Sequence, residues 1–291
     1  MDNVNIKNII EKLKNNINET NHNKSSHWKV HAKKIDEFLD ITKNYGFGSF
    51  EKKSFKKIFY FFLKRLVFGN KVFKTLLYKN CKIIFDKLHR EMDSDVMRHI
   101  FTFNKIKEYI EPKSICIIGD GKLNGILCAH LMFPEAKIFS INISEVLIHD
   151  LIILNQMNLK IKNQVILVEN LNTKYENSSL ILVPANLKRF LLNKNIDLFI
   201  NIASFQEMTT NEIDNYFDII KNNKGMLYCC NREYKKLIGG EETNFNKYPF
   251  SNCTKIFWED CSWYKKYYSL RYPFIKNFPV NIKHCLVDYS D

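Results

Sequence analysis

The chain has 291 residues and a mass of 34.6 kDa, enough for one large domain or two small ones at roughly 100–200 residues each. Apolar residues make up 45% and charged residues 26%, a balance that excludes an intrinsically disordered chain. No stretch reaches the ~18 consecutive apolar residues that span a bilayer, and no secretory signal is visible in the first residues. We therefore expect a globular, cytoplasmic protein.

The cysteines and histidines do not form a metal-binding pattern. Eight cysteines are present and none forms a C-x-x-C pair. Several lie inside apolar runs, which favours buried thiols in a reducing compartment. His22, His27 and His31 lack a nearby carboxylate that would complete a ligand set. We expect no metal site.

The positive charge is concentrated in one segment. The net charge is +13, and 24 basic and 13 acidic residues lie within the first 113 positions. Residues 52–90 contain twelve basic residues and a single acid, Asp86. Lysines interspersed with aromatic rings favour an anionic membrane surface over a nucleic acid duplex, and we expect a peripheral position at the inner face of the membrane. A solvated, charged helix face is the alternative interpretation.

The first 110 residues are predicted to be helical and basic. Apolar residues at helical spacing predict one or two short helices before residue 45. Ser54 as a cap and Gly69 as a stop predict a further helix, and others are expected around 71–90 and 94–110. At 100° per residue, one face of the helix that starts at Ser54 carries Phe55, Ile58, Phe59, Phe62, Leu63 and Leu66. We predict a domain boundary near 110.

Residues 111–291 alternate between short apolar runs and helical patterns. The runs lie at 114–118, 137–141, 165–168, 180–183, 198–202, 226–230, 255–258 and 284–287. Helical periodicity covers 123–131 and 145–157. Continuous apolar runs are typical of buried parallel strands. Their alternation with helices predicts an α/β fold with a Rossmann-like, doubly wound, mostly parallel sheet.

A turn containing three glycines follows the first predicted strand of this sheet. The turn reads Gly119-Asp120-Gly121-Lys122-Leu123-Asn124-Gly125. Its glycines permit a tight turn and allow backbone N–H groups to approach a ligand closely. The spacing misses the dinucleotide fingerprint by one residue, so a purely structural turn is the alternative.

The second strand ends at Asn142 instead of the acid that usually holds a ribose. Glu145 is expected to cap the next helix, and His149 and Asp150 are interpreted as surface residues.

The segment 196–208 reads Ile-Asp-Leu-Phe-Ile-Asn-Ile-Ala-Ser-Phe-Gln-Glu-Met. It resembles the end of the fourth strand in bacterial sugar O-methyltransferases, a family of the class I S-adenosylmethionine-dependent group. The resemblance continues at 228–233, 239–241 and 245–250. It covers most of residues 95–262 and, more loosely, the Ser26-His27-Trp28 region. It implies a class I methyltransferase type of fold with S-adenosylmethionine bound across the carboxyl ends of the strands. The cofactor-binding residues that it implies are Gly119, Asp120, Gly121, Asn142, Asn186, Asn201 and Ser204.

Methyl transfer to oxygen requires an aligned hydroxyl and removal of its proton. Glu207, just past the fourth strand, is the first candidate for general base or acceptor anchor, and Glu241 is the second. The alternative for Glu207 is an acid at the favourable end of a helix. Arg232 and Glu242 are candidate substrate residues, since a guanidinium can hold an acidic sugar through paired bonds.

We therefore expect transfer to a sugar hydroxyl of a cell-surface glycan or its precursor. A nucleic-acid methyltransferase is a rival, and Asn201-Ile202-Ala203-Ser204 argues against it because amino-methylating enzymes usually carry Asn/Asp-Pro-Pro-aromatic there. A nucleotide-dependent oxidoreductase is disfavoured by the glycine spacing and by the missing acid. A non-catalytic, membrane-associated protein with a degenerate methyltransferase fold is the third alternative.

Overall fold

The computed structural model describes residues 2–17, 24–31, 49–50, 56–157, 159, 161, 164–268 and 272–290. Ser54, the predicted helix cap, Phe55 and His22 lie outside these residues. The helices are α1 (Asp2–Ile17), α2 (Ser26–His31), α3 (Lys56–Phe68), α4 (Leu76–Lys87), α5 (Ser94–Ile106), α6 (Asn124–Met132), α7 (Ser144–Met157) and α8 (Thr210–Asn223). Short 3₁₀ turns cover Val72–Lys74, Ala185–Leu191, Phe205–Glu207 and Phe245–Lys247.

The strands are β1 (Ser49–Phe50), β2 (Arg90–Glu91), β3 (Ser114–Ile118), β4 (Lys137–Asn142), β5 (Val165–Leu167), β6 (Leu180–Pro184), β7 (Leu198–Ile202), β8 (Met226–Arg232), β9 (Tyr234–Lys236), β10 (Glu242–Asn244), β11 (Thr254–Asp260), β12 (Lys266–Tyr268), β13 (Ile275–Asn277) and β14 (Ile282–Asp288). Eight of them form one sheet in the order β11-β14-β8-β7-β3-β4-β6-β5. β14 pairs antiparallel with both neighbours, and the other pairs are parallel. The predicted α/β fold with a Rossmann-like, doubly wound, mostly parallel sheet is confirmed.

Alternating residues of the central strands supply two separate cores. Ile115 and Ile117 of β3 join the core on one face, and Cys116 and Ile118 join the core on the other, because successive strand residues point to opposite faces. The first core includes residues of α1, α4, α5, α6 and α7, and the second includes residues of α8. The amino-terminal helices thus share a core with the sheet. A boundary near 110 between independently folding units stays a prediction.

The orientation of α3 differs from the predicted apolar face. Phe62 and Leu66 are 54% and 55% exposed, whereas Leu63 and Phe68 are buried. The side chain of Lys64 is also buried, and its Nζ donates to the carbonyl oxygen of Met92 at 2.5 Å. The helix is turned so that Leu63, Lys64 and Phe68 face inward. The apolar face predicted for it is therefore largely a surface.

Candidate functional site

Two adjoining cavities lie at the carboxyl ends of β3, β4 and β7, where the strand order reverses direction. In doubly wound sheets this switch point is where ligands bind. The larger cavity has a volume of about 310 Å³ and the smaller about 110 Å³. Both are lined by Trp28, Gly119, Asn142, Ser204 and Glu207. The predicted site residues that meet here come from three strands, as the parallel topology requires.

The glycine turn forms the wall of the larger cavity, and two of its glycines serve different needs. Gly119 has φ +76°, and a Cβ there would lie 1.9 Å from Ser204 Oγ. Gly121 has φ +37°, and a Cβ there would have no heavy atom within 4 Å. Gly119 thus allows β3 and β7 to approach each other, while Gly121 leaves open space beside its backbone.

Two buried carboxylates hold this turn in place. Asp120 accepts hydrogen bonds from the backbone N–H groups of Gly125 at 2.7 Å and Ile126 at 2.8 Å, at the start of α6. Asp150 accepts from Lys122 N at 2.9 Å and Leu123 N at 2.8 Å through one oxygen, Oδ1. Burial raises the pKa of both carboxyl groups above the ordinary value. Asp120 is a cavity-lining residue whose oxygens are already used by the turn.

The prediction that His149 and Asp150 are surface residues is wrong. Their exposed fractions are 3% and 1%. Helix α7 packs its first turns beneath the glycine turn, so Asp150 serves as the acceptor for two backbone N–H groups that the sheet does not satisfy. Burial lowers the pKa of His149 to about 4, so the imidazole is neutral at physiological pH.

The asparagines predicted to bind cofactor occupy different positions. Asn142, the last residue of β4, lines both cavities, and its Oδ1 accepts from Ile143 N at 2.9 Å. Asn186 lines the smaller cavity, and its Nδ2 donates to Asn16 Oδ1 at 3.3 Å. Asn201 is fully buried and lines neither cavity.

Asn201 instead connects the strands beneath the cavities. Its Nδ2 donates to Ile118 O at 3.1 Å, and its Oδ1 accepts from Phe205 N at 3.1 Å and from Asn231 Nδ2 at 2.8 Å. These bonds fix the end of β3, the turn after β7 and the end of β8 relative to one another. Asn201 is a positioning residue for the cavity floor, whereas Ile202, Ala203 and Ser204 line the larger cavity, and Ser204 also lines the smaller one.

Glu207 is the acid that both cavities share near the end of β7. It ends the short 3₁₀ turn after that strand, and its carboxylate accepts from Lys235 Nζ at 2.9 Å. His27 Nε2 lies 3.4 Å from the other carboxylate oxygen. The carboxylate is held by two side chains from distant parts of the chain while about a quarter of its side chain stays exposed.

The remaining predicted residues divide between the cavity and the surface. Arg232, at the end of β8, lines the larger cavity. Glu241 lines neither cavity; its carboxylate accepts from Ser26 N at 3.0 Å and Ser26 Oγ at 2.6 Å. These bonds lower the pKa of Glu241. Glu242 pairs with Lys236 at the surface and also lies outside both cavities.

An amino-terminal segment, residues 24–28, covers the junction of the two cavities. Lys24 and Glu145 form an ion pair whose side chains are each 2% exposed. Ser25 Oγ donates to the carbonyl oxygen of Glu207 at 2.6 Å. Trp28 lines both cavities. The contribution of Lys24 is not predictable from local sequence, because its partner Glu145 is 121 positions away in the chain.

The sequence has no match among protein-family models or curated proteins. Similarity is found to solved structures. Cofactor-bound Rv0187 from MTB is 9% identical, with a TM-score of 0.42, and the match covers 83% of this chain and 100% of that one.

Two further solved structures are similar at the same level. The plantazolicin methyltransferase BamL, in complex with a triazolic desmethylPZN analog and SAH, is 11% identical with a TM-score of 0.43, covering 82% and 100% of the two chains. TrmK of M. capricolum, in complex with S-adenosyl-homocysteine, is 12% identical with a TM-score of 0.40, covering 66% and 69%. Similarity of this degree carries no functional argument, so the function is inferred from the cavities and their residues.

Proposed function

We propose that this chain is an S-adenosylmethionine-dependent O-methyltransferase that acts on a sugar hydroxyl of a cell-surface glycan or its precursor. One observation carries the proposal: Gly119, Asn142, Ser204 and Glu207 line both cavities at the switch point of the sheet. A ligand that extends from the smaller cavity into the larger one passes directly beside a carboxylate. Methyl transfer to oxygen needs that arrangement, with the donor and the proton acceptor at one junction.

The residues present fit an adenosine-containing donor. Ile141, Ile143 and Ala185 give the smaller cavity apolar walls, which suit a purine ring. Asn142 stands between this cavity and the larger one, and its amide nitrogen can donate to a ribose hydroxyl. The open space beside Gly121 allows the backbone to approach the methionine part. When bound, the donor would supply an electrophilic methyl group on a sulfonium.

Glu207 is the residue proposed to take the proton of the acceptor hydroxyl. Lys235, 2.9 Å from its carboxylate, holds one oxygen through a charge-assisted hydrogen bond. His27, at 3.4 Å, fixes the second oxygen. Because the carboxylate lines the junction of the two cavities, an acceptor oxygen that hydrogen-bonds to it is held next to the donor's position.

The larger cavity supports a sugar as the acceptor. Its lining combines the aromatic side chain of Trp28 with the polar side chains of Gln206 and Arg232. Aromatic rings pack against the apolar C–H faces of a sugar ring, while a few convergent polar groups bind its hydroxyls and fix its orientation.

Binding and transfer can be tested separately. Calorimetry with S-adenosylhomocysteine measures donor binding, and absence of heat at high ligand concentration would contradict every methyltransferase hypothesis. Tritium transfer from S-adenosylmethionine into extracted glycan, with RNA and DNA as parallel acceptors, then identifies the acceptor class. Tritium in nucleic acid and none in glycan would contradict the sugar proposal.

Glu207→Gln tests the proton acceptor. We expect the turnover rate to fall by about 10²–10⁴-fold, with S-adenosylhomocysteine affinity largely retained, because the amide keeps the shape and loses the basicity. Glu135→Gln, an exposed residue away from the cavities, is the matched control. Equal rates for Glu207→Gln and the control would remove Glu207 from the mechanism.

We further propose that α3 contacts an anionic membrane surface. Within the described residues no helix is long and apolar enough to cross a bilayer. The exposed side of α3 nevertheless carries Phe61, Phe62 and Leu66, each 44–55% exposed, and Arg65 lies over the ring of Phe61 at 4.7 Å. Exposed aromatic side chains next to cations suit the headgroup region of a bilayer rich in anionic lipid. Such contact would place the cavities near a lipid-linked acceptor at the inner face of the membrane.

A further inference from the structure

Arg98 is a buried cation in the wall of the larger cavity. It lies in the second turn of α5 and is 6% exposed. The centre of its guanidinium is 4.5 Å from the ring centroid of Tyr264 and 5.1 Å from that of Phe278. These rings restrict the orientation of the guanidinium and exclude water from part of its surface.

The guanidinium is only partly satisfied. One of its terminal nitrogens donates to Asp95 Oδ1 at 2.8 Å. Its Nε and its other terminal nitrogen are buried and have no hydrogen-bond acceptor within the described residues. Buried N–H groups of a charged side chain are costly to leave unpaired. An acceptor supplied from the cavity would satisfy both at once.

The charged side chains that line this cavity are three cations and three acids. Lys122 and Arg232 line it together with Arg98. Of the acids in the lining, Asp95 accepts from Arg98, Asp120 accepts from backbone N–H groups, and Glu207 pairs with Lys235. Each of these carboxylates already has a partner. None of them accepts from Nε or from the unpaired terminal nitrogen of Arg98, so an anion from outside the lining is the acceptor that these N–H groups lack.

We propose that Arg98 binds a carboxylate or phosphate group in the larger cavity through the adjacent N–H groups of Nε and the terminal nitrogen. These two groups form a planar fork that matches two oxygens of such an anion. The anion has two sources: an acidic or phosphorylated acceptor, or the carboxylate of a bound methyl donor. The second source rests on the proposed function, whereas the first can be tested without any donor.

The experiment measures three ligands by calorimetry on the full chain: inorganic phosphate, S-adenosylhomocysteine, and 5′-methylthioadenosine, which lacks the carboxylate. Each is compared between the wild-type protein, Arg98→Met, Arg98→Lys and the control Lys105→Met, which removes a cation from the same helix outside the cavity lining. Circular dichroism and thermal unfolding verify that each variant is folded.

If the anion belongs to the acceptor, Arg98→Met should weaken phosphate binding at least ten-fold and leave the affinity for S-adenosylhomocysteine unchanged. If the anion is the carboxylate of the methyl donor, Arg98→Met should weaken S-adenosylhomocysteine binding at least ten-fold and leave the affinity for 5′-methylthioadenosine unchanged. If Arg98→Met does not fold, Arg98→Lys decides the result, since lysine keeps the charge without the fork and should show the same pattern at reduced size.

Wild-type affinities for phosphate and S-adenosylhomocysteine in the folded Arg98 variants would overturn the proposal. Equal losses in Lys105→Met would also overturn it, because they would reflect net charge alone. A protein that binds neither adenosine ligand but binds phosphate through Arg98 would contradict the proposed function and leave the anion site supported.

Discussion

Asp150→Ala tests whether a buried carboxylate holds the glycine turn. The substitution removes the acceptor for Lys122 N and Leu123 N. Each buried N–H left unpaired costs about 1–3 kcal/mol. Both residues also have positive φ, +92° and +60°, a conformation that costs roughly 1–2 kcal/mol per non-glycine residue and needs such support. Partial relaxation of the turn offsets part of the loss, so we expect a destabilisation of about 2–5 kcal/mol.

Asp150→Asn is the matched control, because it keeps the single oxygen that accepts both bonds. Urea unfolding followed by circular dichroism should show a lower midpoint for the alanine variant and a midpoint near the wild-type value for asparagine. Burial raises the folded-state pKa of Asp150, so its ionisation destabilises the native protein as pH rises above the unfolded value of about 3.9. The asparagine variant should lose that part of the pH dependence. A wild-type midpoint for Asp150→Ala would refute the reasoning.

Three further predictions concern the amino-terminal segment over the cavities, the glycine turn and the exposed side of α3. Lys24→Met should destabilise the protein by about 3–5 kcal/mol, since it leaves Glu145 buried without its partner; recovery of the unfolding midpoint is expected on adding Glu145→Leu, and a wild-type midpoint in the single variant would contradict the ion pair. Gly119→Ala should lower the melting temperature more than Gly121→Ala, because only the first places a Cβ against another side chain; equal shifts would contradict this packing. Sedimentation with vesicles should show salt-sensitive binding to anionic lipid, weakened by Phe62→Ser, a residue 54% exposed; equal binding to neutral vesicles, or no binding, would remove the membrane proposal.

The linear order of strands and helices in the sheet domain was predictable from local pattern. The run at 198–202 became β7 (Leu198–Ile202), and the run at 114–118 became β3 (Ser114–Ile118), with the bounds predicted. Both strands are buried on two faces, so their sequences are apolar almost without interruption. The resemblance implied that the glycine turn and Asn142 bind one ligand. Both line the larger cavity, because the carboxyl ends of neighbouring parallel strands meet at one edge of the sheet.

Other parts of the site were not predictable because they depend on how helices rotate and where distant segments pack. The pattern of α3 indicated an apolar face that in the structure is largely exposed, because the helix turns Lys64 and Phe68 inward and leaves Phe62 and Leu66 at the surface. Asn201, predicted to line the site, is a fully buried connection between strands. The contacts that one side chain makes across the sheet do not change the local periodicity of the sequence, so they cannot be predicted from it.

The uneven distribution of the +13 net charge, the alternation of strands and helices, and the glycine turn at the first sheet strand are properties of the sequence itself. They follow from local preferences and from the two-residue and 3.6-residue periods of strands and helices. The tertiary structure alone decided that Lys24 and Trp28 cover the cavities and that Arg98 lies in their wall with unpaired N–H groups. Those contacts join residues far apart in the chain, and only the packing of helices on the sheet brings them together.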